Sequence, residues 1–67
     1  MRIGHKSNKC FASVNRNAYG EYVVRLYAIG NGHNIHFKQA DYYTDDREDA
    51  IGTAQIELDR MVEKGIV

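Results

Sequence analysis

The stretch from Thr44 to Gly65 is the only part of this chain with the pattern of a long helix, and its apolar side needs a sheet to pack against. At about 100° per residue its apolar side chains fall on one stripe, made of Ile51, Ala54, Leu58, Met61 and Val62. Thr44 or Asp45 is the expected N-cap, and Asp45 with Glu48 three residues later has the spacing of a capping box. Gly65 after Lys64 marks the end. The sequence therefore predicts an amphipathic helix over residues 45–64.

The segments before this helix have the composition of short strands. We expect strands at Cys10–Asn15, Glu21–Ala28 and His33–Gln39, because β-branched and aromatic residues alternate there with polar ones between turn residues. Residues 1–9 are expected to be a frayed leader, with a short edge strand at Arg2–His5 as the alternative. The predicted fold class is α+β: a three-stranded antiparallel meander over residues 10–39, covered on one face by the C-terminal helix, in the order βββα.

Strand alternation divides the predicted sheet into a covered and an open face. The expected core consists of side chains that face the helix and of the helix stripe itself: Tyr22, Val24, Leu26, Ile35, Phe37, Ile51, Ala54, Leu58 and Met61. The first strand leaves two registers open, one with Cys10, Ala12 and Val14 beneath the helix and Phe11 outside, and the reverse. The open face is expected to carry Val23, Arg25, Tyr27, Asn34, His36 and Lys38.

Length and cysteine content limit the class of protein. The 67 residues make a single domain with too small a core for a deep substrate cavity. The one cysteine, Cys10, excludes an internal disulfide and favours a reducing compartment, and its small side chain is expected in the core. No apolar run is long enough for a membrane span, and the N-terminus lacks the apolar segment of a signal peptide. The expected location is the cytoplasm.

The formal net charge of zero conceals two halves of opposite sign. Residues 1–38 contain six lysines and arginines against the single acid Glu21, whereas residues 39–67 contain three basic residues against eight acids. One interpretation is that opposite charges on neighbouring elements aid solubility and local pairing. The other is that a positive sheet meets an anionic partner while the acidic helix meets solvent or a second partner.

Basic side chains between aromatic rings on an open sheet are typical of nucleic-acid-binding surfaces, since cations meet phosphates while rings stack or fill a groove. The first functional hypothesis is therefore nucleic-acid binding without catalysis. The residues expected to make contact are Arg25, Tyr27, His36 and Lys38, with Arg16 and Lys9 as flanking phosphate contacts.

The second hypothesis is an inhibitor or adaptor that binds a basic surface of a host protein through the acidic helix. Ile56 lies on the polar side of the helical wheel and is its expected centre. The full set on this surface is Thr53, Ile56, Glu57, Asp59, Arg60 and Glu63.

Three segments, Gly20–Leu26, Tyr42–Thr44 and Glu48–Ala50, resemble the small DNA-binding domain at the N-terminus of tyrosine-recombinase integrases. That family places a three-stranded sheet in the major groove of DNA, so the resemblance implies DNA binding by the sheet. The stretch Gly20–Ile35 also looks like small bacterial strand-strand-helix domains of unassigned function. The chain departs from the integrase type in its acidic helix, and we expect a free-standing chain without the catalytic domain that follows in that family, which is the style of a phage or mobile-element accessory protein.

No residue constellation indicates catalysis, a metal or a cofactor. His33 and His36 lie three apart, which puts them on opposite faces of a strand, and zinc needs about four convergent ligands. The acids around Asp45 lack the glycine and ligand spacing of a calcium loop, and helix N-terminal charge explains them. The segment Gly30–Gly32 precedes a strand and no lysine closes it, unlike a phosphate loop. The expected protein is not an enzyme, and holds no cofactor or small-molecule substrate.

Overall fold

A computed structural model describes residues 1–67 and contains one antiparallel sheet and one C-terminal helix. The strands are β1 (Arg2–Gly4), β2 (Cys10–Arg16), β3 (Tyr22–Ile29), β4 (Asn34–His36) and β5 (Tyr42–Thr44). A 3₁₀ turn occupies Lys38–Ala40, and the helix α1 spans Arg47–Glu63. The predicted α+β class, with an antiparallel sheet and one C-terminal helix, is confirmed. The predicted number of three strands is wrong, because a short strand is added at each end of the meander.

The segment expected to be a frayed leader supplies one of these added strands. Strand β1 pairs antiparallel with β2 and brings Ile3 opposite Ala12. Ile3 packs against the core, and Val14 donates its backbone N–H to the Met1 carbonyl oxygen at 2.8 Å. A side-chain anchor and ladder hydrogen bonds therefore hold the segment to the sheet.

Strands β4 and β5 lie one after the other along the same edge of β3. His36 is opposite Tyr27 in the first pairing, and Tyr42 is opposite Val24 in the second. Continuous pairing would bring residue 39 opposite Val24, so the 3₁₀ turn accommodates three extra residues. The predicted third strand, His33–Gln39, is thus cut short after His36 and leaves the sheet plane.

The core lies between α1 and the central strands β2 and β3. Nine buried residues form it: Cys10, Ala12, Val14, Val24, Leu26, Ala50, Ala54, Leu58 and Met61. The register of the first strand is therefore the one with Cys10, Ala12 and Val14 beneath the helix. Tyr22 and Phe37, expected in the core, are partly buried against it.

Ile35 was also expected in the core and is instead 49% exposed. It faces the helix side of β4, but α1 covers β2 and β3 and does not reach that strand. Ile51 is only half-buried, whereas its neighbour Ala50 is fully buried in the core. A small residue there lets the first turn of α1 approach the strands closely.

The two ends of α1 are capped by different devices. The N-cap is Asp46, whose carboxylate accepts the Glu48 N–H at 3.0 Å, so neither Thr44 nor Asp45 caps the helix. At the C-terminus Gly65 adopts a left-handed φ of +70°. The Gly65 N–H donates to the Val62 carbonyl oxygen, and the Ile66 N–H donates to the Met61 carbonyl oxygen. These two hydrogen bonds define the Schellman motif. This helix lacks the length and apolar character needed to cross a membrane.

Candidate functional site

The sheet surface turned away from α1, here called the outer face, is the candidate site. The strand registers place twelve residues on it: Arg2, Gly4, Phe11, Ser13, Asn15, Val23, Arg25, Tyr27, Ile29, Asn34, His36 and Tyr43. No carboxylate occupies any of these positions. The face is therefore aromatic, basic and amide-rich, whereas the acids of the chain are concentrated around the helix.

An aromatic ladder crosses four strands of the outer face. Phe11, Tyr27 and His36 are direct cross-strand neighbours on β2, β3 and β4. The Phe11 and Tyr27 rings stack at 4.8 Å between centroids and 10° between planes, and the Tyr27 and His36 rings at 4.9 Å and 26°. The Arg2 guanidinium carbon lies 3.8 Å from the Phe11 ring centroid on the other side, a cation–π contact that extends the ladder to β1.

The ladder presents ring edges to solvent because its ring faces are used internally. Tyr27 has one face against Phe11 and the other against His36, and Phe11 is enclosed between Tyr27 and Arg2. Phe11 is consequently only 7% exposed although no helix covers it. The central rings have no free face on which a nucleobase could stack.

The lysines and arginines of the strand half have no acidic partners. None of the six lysines and arginines before residue 39 forms an ion pair with a carboxylate. On the outer face this leaves Arg2 and Arg25 without any side-chain hydrogen-bond acceptor in the chain, whereas His36 Nε2 lies 2.8 Å from Asp41 Oδ1. Arginines without a counter-charge favour an anionic ligand at this surface.

The predicted contact residues divide into two groups. Arg25, Tyr27 and His36 lie together on the outer face. Lys9 extends it at one end, since Ile29 donates its backbone N–H to the Lys9 carbonyl oxygen. The structure does not bring the other two predicted contacts into this group.

Arg16 and Lys38 lie elsewhere for reasons of local geometry. Arg16 is opposite Tyr22 on the helix side of the sheet, with its guanidinium carbon 6.0 Å from that ring centroid. Lys38 belongs to the 3₁₀ turn and borders an apolar cleft of about 470 Å³ that also contains Leu26 and Met61. Strand alternation failed for Lys38 because the strand ends before it.

Two candidate residues of the outer face, Arg2 and Ser13, were not predicted from the sequence. Arg2 lies opposite Ser13, and Ser13 lies opposite Arg25, so the three form one row across β1, β2 and β3. Ser13 Oγ accepts a hydrogen bond from Asn15 Nδ2 at 2.7 Å. The sequence left only the alternative of a short edge strand at Arg2–His5 as a signal for the position of Arg2.

The acidic surface of α1 is partly engaged within the chain. Glu57 pairs with Arg60 at 3.2 Å, and Asp59 Oδ1 lies 2.9 Å from His5 Nε2. Ile56 is 59% exposed and Glu63 is exposed with no hydrogen bond or ion pair, while Thr53, the remaining member of the predicted set, is half-buried. The free part of this surface is therefore smaller than the sequence indicates.

His5 and Tyr42 fasten the sheet to the helix at two places. The His5 ring is 8% exposed, and its Nδ1 lies 2.8 Å from Ser7 Oγ, so the pair with Asp59 ties the β1–β2 loop to α1. The Tyr42 hydroxyl donates to Asp49 Oδ2 at 2.6 Å. That hydrogen bond favours the protonated phenol and raises the pKa of Tyr42, to which desolvation adds. Both contacts are structural.

No protein-family model matches this chain, and neither do the curated proteins or the solved structures with which it was compared. The resemblance to the integrase DNA-binding domain therefore stays a prediction, and the case for a function depends on the outer face itself.

Proposed function

We propose that this protein is a non-enzymatic nucleic-acid-binding protein that contacts its ligand with the outer face of the sheet. The observation that carries the proposal is the charge of that face: Arg2 and Arg25 lie there without acidic partners, and no outward strand position holds a carboxylate. Phosphates of a nucleic acid would supply the missing counter-charges.

The residues proposed to make contact are Arg2, Arg25, Tyr27 and His36, with Lys9 at the end of the face. Tyr27 offers its ring edge and a hydroxyl that has no hydrogen-bond partner in the chain. Lys38 and Arg16 are proposed only as peripheral charges, because they lie off the face. The zero net charge of the chain predicts binding of moderate affinity. Phosphate contacts make that affinity depend on salt, because they release counterions.

The test is a fluorescence titration of the protein into labelled duplex DNA, duplex RNA and single-stranded DNA at low and at physiological ionic strength. We expect binding at low salt whose logarithmic affinity falls linearly with the logarithm of salt concentration, with a slope of about −0.9 per phosphate contacted on a duplex. An absence of binding to all three ligands at low salt, where phosphate contacts are strongest, would falsify the proposal.

The exposure of Ile56 favours a second candidate function. An isoleucine 59% exposed on a polar helix surface, with Glu63 unpaired nearby along α1, matches the small apolar centre and charged rim of a protein-binding site. In that case the protein is an inhibitor or adaptor that occupies a basic surface of a host protein. A pull-down from lysate with and without nuclease distinguishes the two, because only nucleic-acid-mediated capture is lost on nuclease treatment.

A further inference from the structure

Arg2, Ser13 and Arg25 are three hydrogen-bond donors brought together by register alone. They are direct cross-strand neighbours on β1, β2 and β3, so the Cα atoms of the two arginines are about 10 Å apart, two strand spacings. The Arg2 guanidinium lies against the Phe11 ring, two residues from Ser13 on the same face of β2, and Arg25 is directly opposite Ser13 on β3, so a phosphate group above Ser13 lies between the two arginines.

The hydroxyl proton of Ser13 is not used within the chain. Its oxygen already accepts a hydrogen bond from Asn15 Nδ2 at 2.7 Å, and no acceptor in the chain lies within hydrogen-bond distance of its own proton. A hydroxyl can donate one proton while it accepts another. The Ser13 proton is therefore available to an acceptor above the sheet.

The Arg2 guanidinium is held beside Phe11 by a cation–π contact, with its central carbon 3.8 Å from the ring centroid. The N–H groups at its edge find no acceptor in the chain, and the same is true of Arg25. A planar fork of N–H donors matches the oxygens of a phosphate group. Restricting Arg2 in advance also reduces the entropy lost when it binds.

We propose that Arg2, Ser13 and Arg25 form a binding site for one backbone phosphate, and that the outer face binds the sugar–phosphate backbone independently of the bases. This inference rests on the proposed function and specifies what the face recognises. The aromatic ladder supports base-independent binding, since its central rings, Phe11 and Tyr27, have both ring faces covered and cannot stack on bases.

The experiment compares a labelled single-stranded oligodeoxynucleotide with an abasic strand of the same length and backbone. We expect the two affinities to agree within about threefold, because stacking is worth about 1–3 kcal/mol per base where ring faces are available and both faces of Phe11 and Tyr27 are covered. Replacing Ser13 by alanine should weaken binding of both strands by about fivefold, the loss of one hydrogen bond.

Arg2→Gln and Arg25→Gln should each lower the affinity for both strands equally and reduce the salt slope by about 0.7, the value for one phosphate contact on a single strand. The matched control is Arg47→Gln, which removes an exposed arginine from the first residue of α1 and should leave the slope unchanged. Arg2→Lys keeps the charge but lacks the fork, so it should retain the salt slope and lose affinity. Thermal unfolding of each variant checks the fold.

Three outcomes separate the inference from the proposed function. If the natural strand binds while the abasic strand loses more than about tenfold, the face reads bases and the inference is wrong, but the proposed function stands. If Arg2→Gln has the same affinity and salt slope as Arg47→Gln, the proposed phosphate-binding site is wrong. If neither strand nor any duplex binds at low salt, the proposed function fails and the inference fails with it.

Discussion

The Phe11 and Tyr27 rings stack at 4.8 Å and nearly in parallel on the sheet face that no helix covers. Arg2 closes the other side of Phe11, so a large aromatic side chain is buried there by its cross-strand neighbours. The aliphatic Val23 on the same face is also buried, 2% exposed between its cross-strand neighbours Asn15 and Tyr43. The outer face therefore contributes to stability as well as to the proposed binding.

The first prediction concerns this contribution. Phe11→Ala should lower the free energy of unfolding by about 3 kcal/mol, since it removes a buried ring together with its stacking and cation–π contacts. The control is Tyr19→Ala, at a site 88% exposed, which should change stability by less than about 0.5 kcal/mol. Urea unfolding followed by circular dichroism measures both. Equal midpoints for the two variants would show that the ladder adds nothing to the fold.

The second prediction concerns the helix stripe. Leu58 is fully buried against the sheet, and Leu58→Ala should cost about 2–5 kcal/mol, most of the stability expected of so small a domain. Ile56 lies two residues away on the exposed side, and Ile56→Ala should cost less than about 0.5 kcal/mol. The higher helix propensity of alanine acts in the stabilising direction. Melting temperatures of the two variants check the phase of α1. A greater loss for Ile56→Ala contradicts it.

The sequence predicts the long elements of the fold well because their periodicity is strong. The stripe containing Ala54, Leu58 and Met61 is buried as expected, and the alternation of Val24 and Leu26 in β3 assigns the covered face correctly. The strands that were missed or left as an alternative, β1 and β5, are three residues each. Such segments carry too few residues for a period, and their pairing depends on the neighbouring β2 and β3.

The candidate site is harder to predict for the same reason. Arg2 joins the row of Ser13 and Arg25 only through the register of a three-residue strand. Lys38 leaves the face because three inserted residues form a turn, which alternation cannot anticipate. Ile35 has a core-like position in its strand, yet the helix does not reach β4. Each error lies in the tertiary arrangement and not in the local residue pattern.

The third prediction concerns two glycines with opposite roles. Gly52 lies inside α1, and a Cβ built there meets nothing within 4 Å, so Gly52→Ala should stabilise the protein by about 0.5–1 kcal/mol. Gly65 has a φ of +70° in the C-terminal cap, where Gly65→Ala should cost about 1 kcal/mol from backbone strain. Thermal unfolding should move the two melting temperatures in opposite directions. A shift of the same sign in both would contradict the capping geometry.

The fourth prediction concerns alkaline pH. Burial raises the pKa of the Cys10 thiol above its ordinary value of 9.0, and the negative charge of Asp59 adds to this. As pH rises, the thiol of the unfolded chain therefore loses its proton before the thiol of the folded protein does. The stability that the protonated Cys10 thiol contributes is complete below pH 9.0 and is lost as pH rises through the pKa of the folded state. Tyr42, whose pKa is also raised, acts in the same direction above its ordinary value of 10.0.

Cys10→Ala isolates the thiol in this experiment. Urea unfolding at about pH 8 and about pH 9.5 should show a smaller loss of stability with pH for the variant than for the parent protein. A thiol reagent should likewise modify the parent at the rate of unfolding and not at the rate of a free thiolate. Rapid modification of the folded protein at neutral pH would be inconsistent with a buried, protonated Cys10.

The fifth prediction distinguishes the outer face from the acidic helix as the binding surface. Arg25→Glu and Glu63→Lys are matched reversals, because neither residue forms an ion pair and each change alters the net charge by the same amount in opposite directions. Asp59 and Glu57 are poorer choices, since they bind His5 and Arg60. If the outer face binds nucleic acid, Arg25→Glu should lower affinity at least about tenfold at low salt, while Glu63→Lys should leave it unchanged or raise it.

The double variant Arg25→Glu with Glu63→Lys decides whether this response is local, because it restores the net charge of zero that the parent protein has. If affinity follows total charge, the double variant should bind like the parent. If it follows the charge on the outer face, the double variant should bind as weakly as Arg25→Glu alone, which is the outcome we expect. Recovery of full affinity in the double variant would show that the outer face is not the binding surface. The same conclusion would follow if Glu63→Lys and Ile56→Ala abolished binding while Arg25→Glu bound like the parent protein. Circular dichroism of all variants ensures that the comparison is between folded proteins.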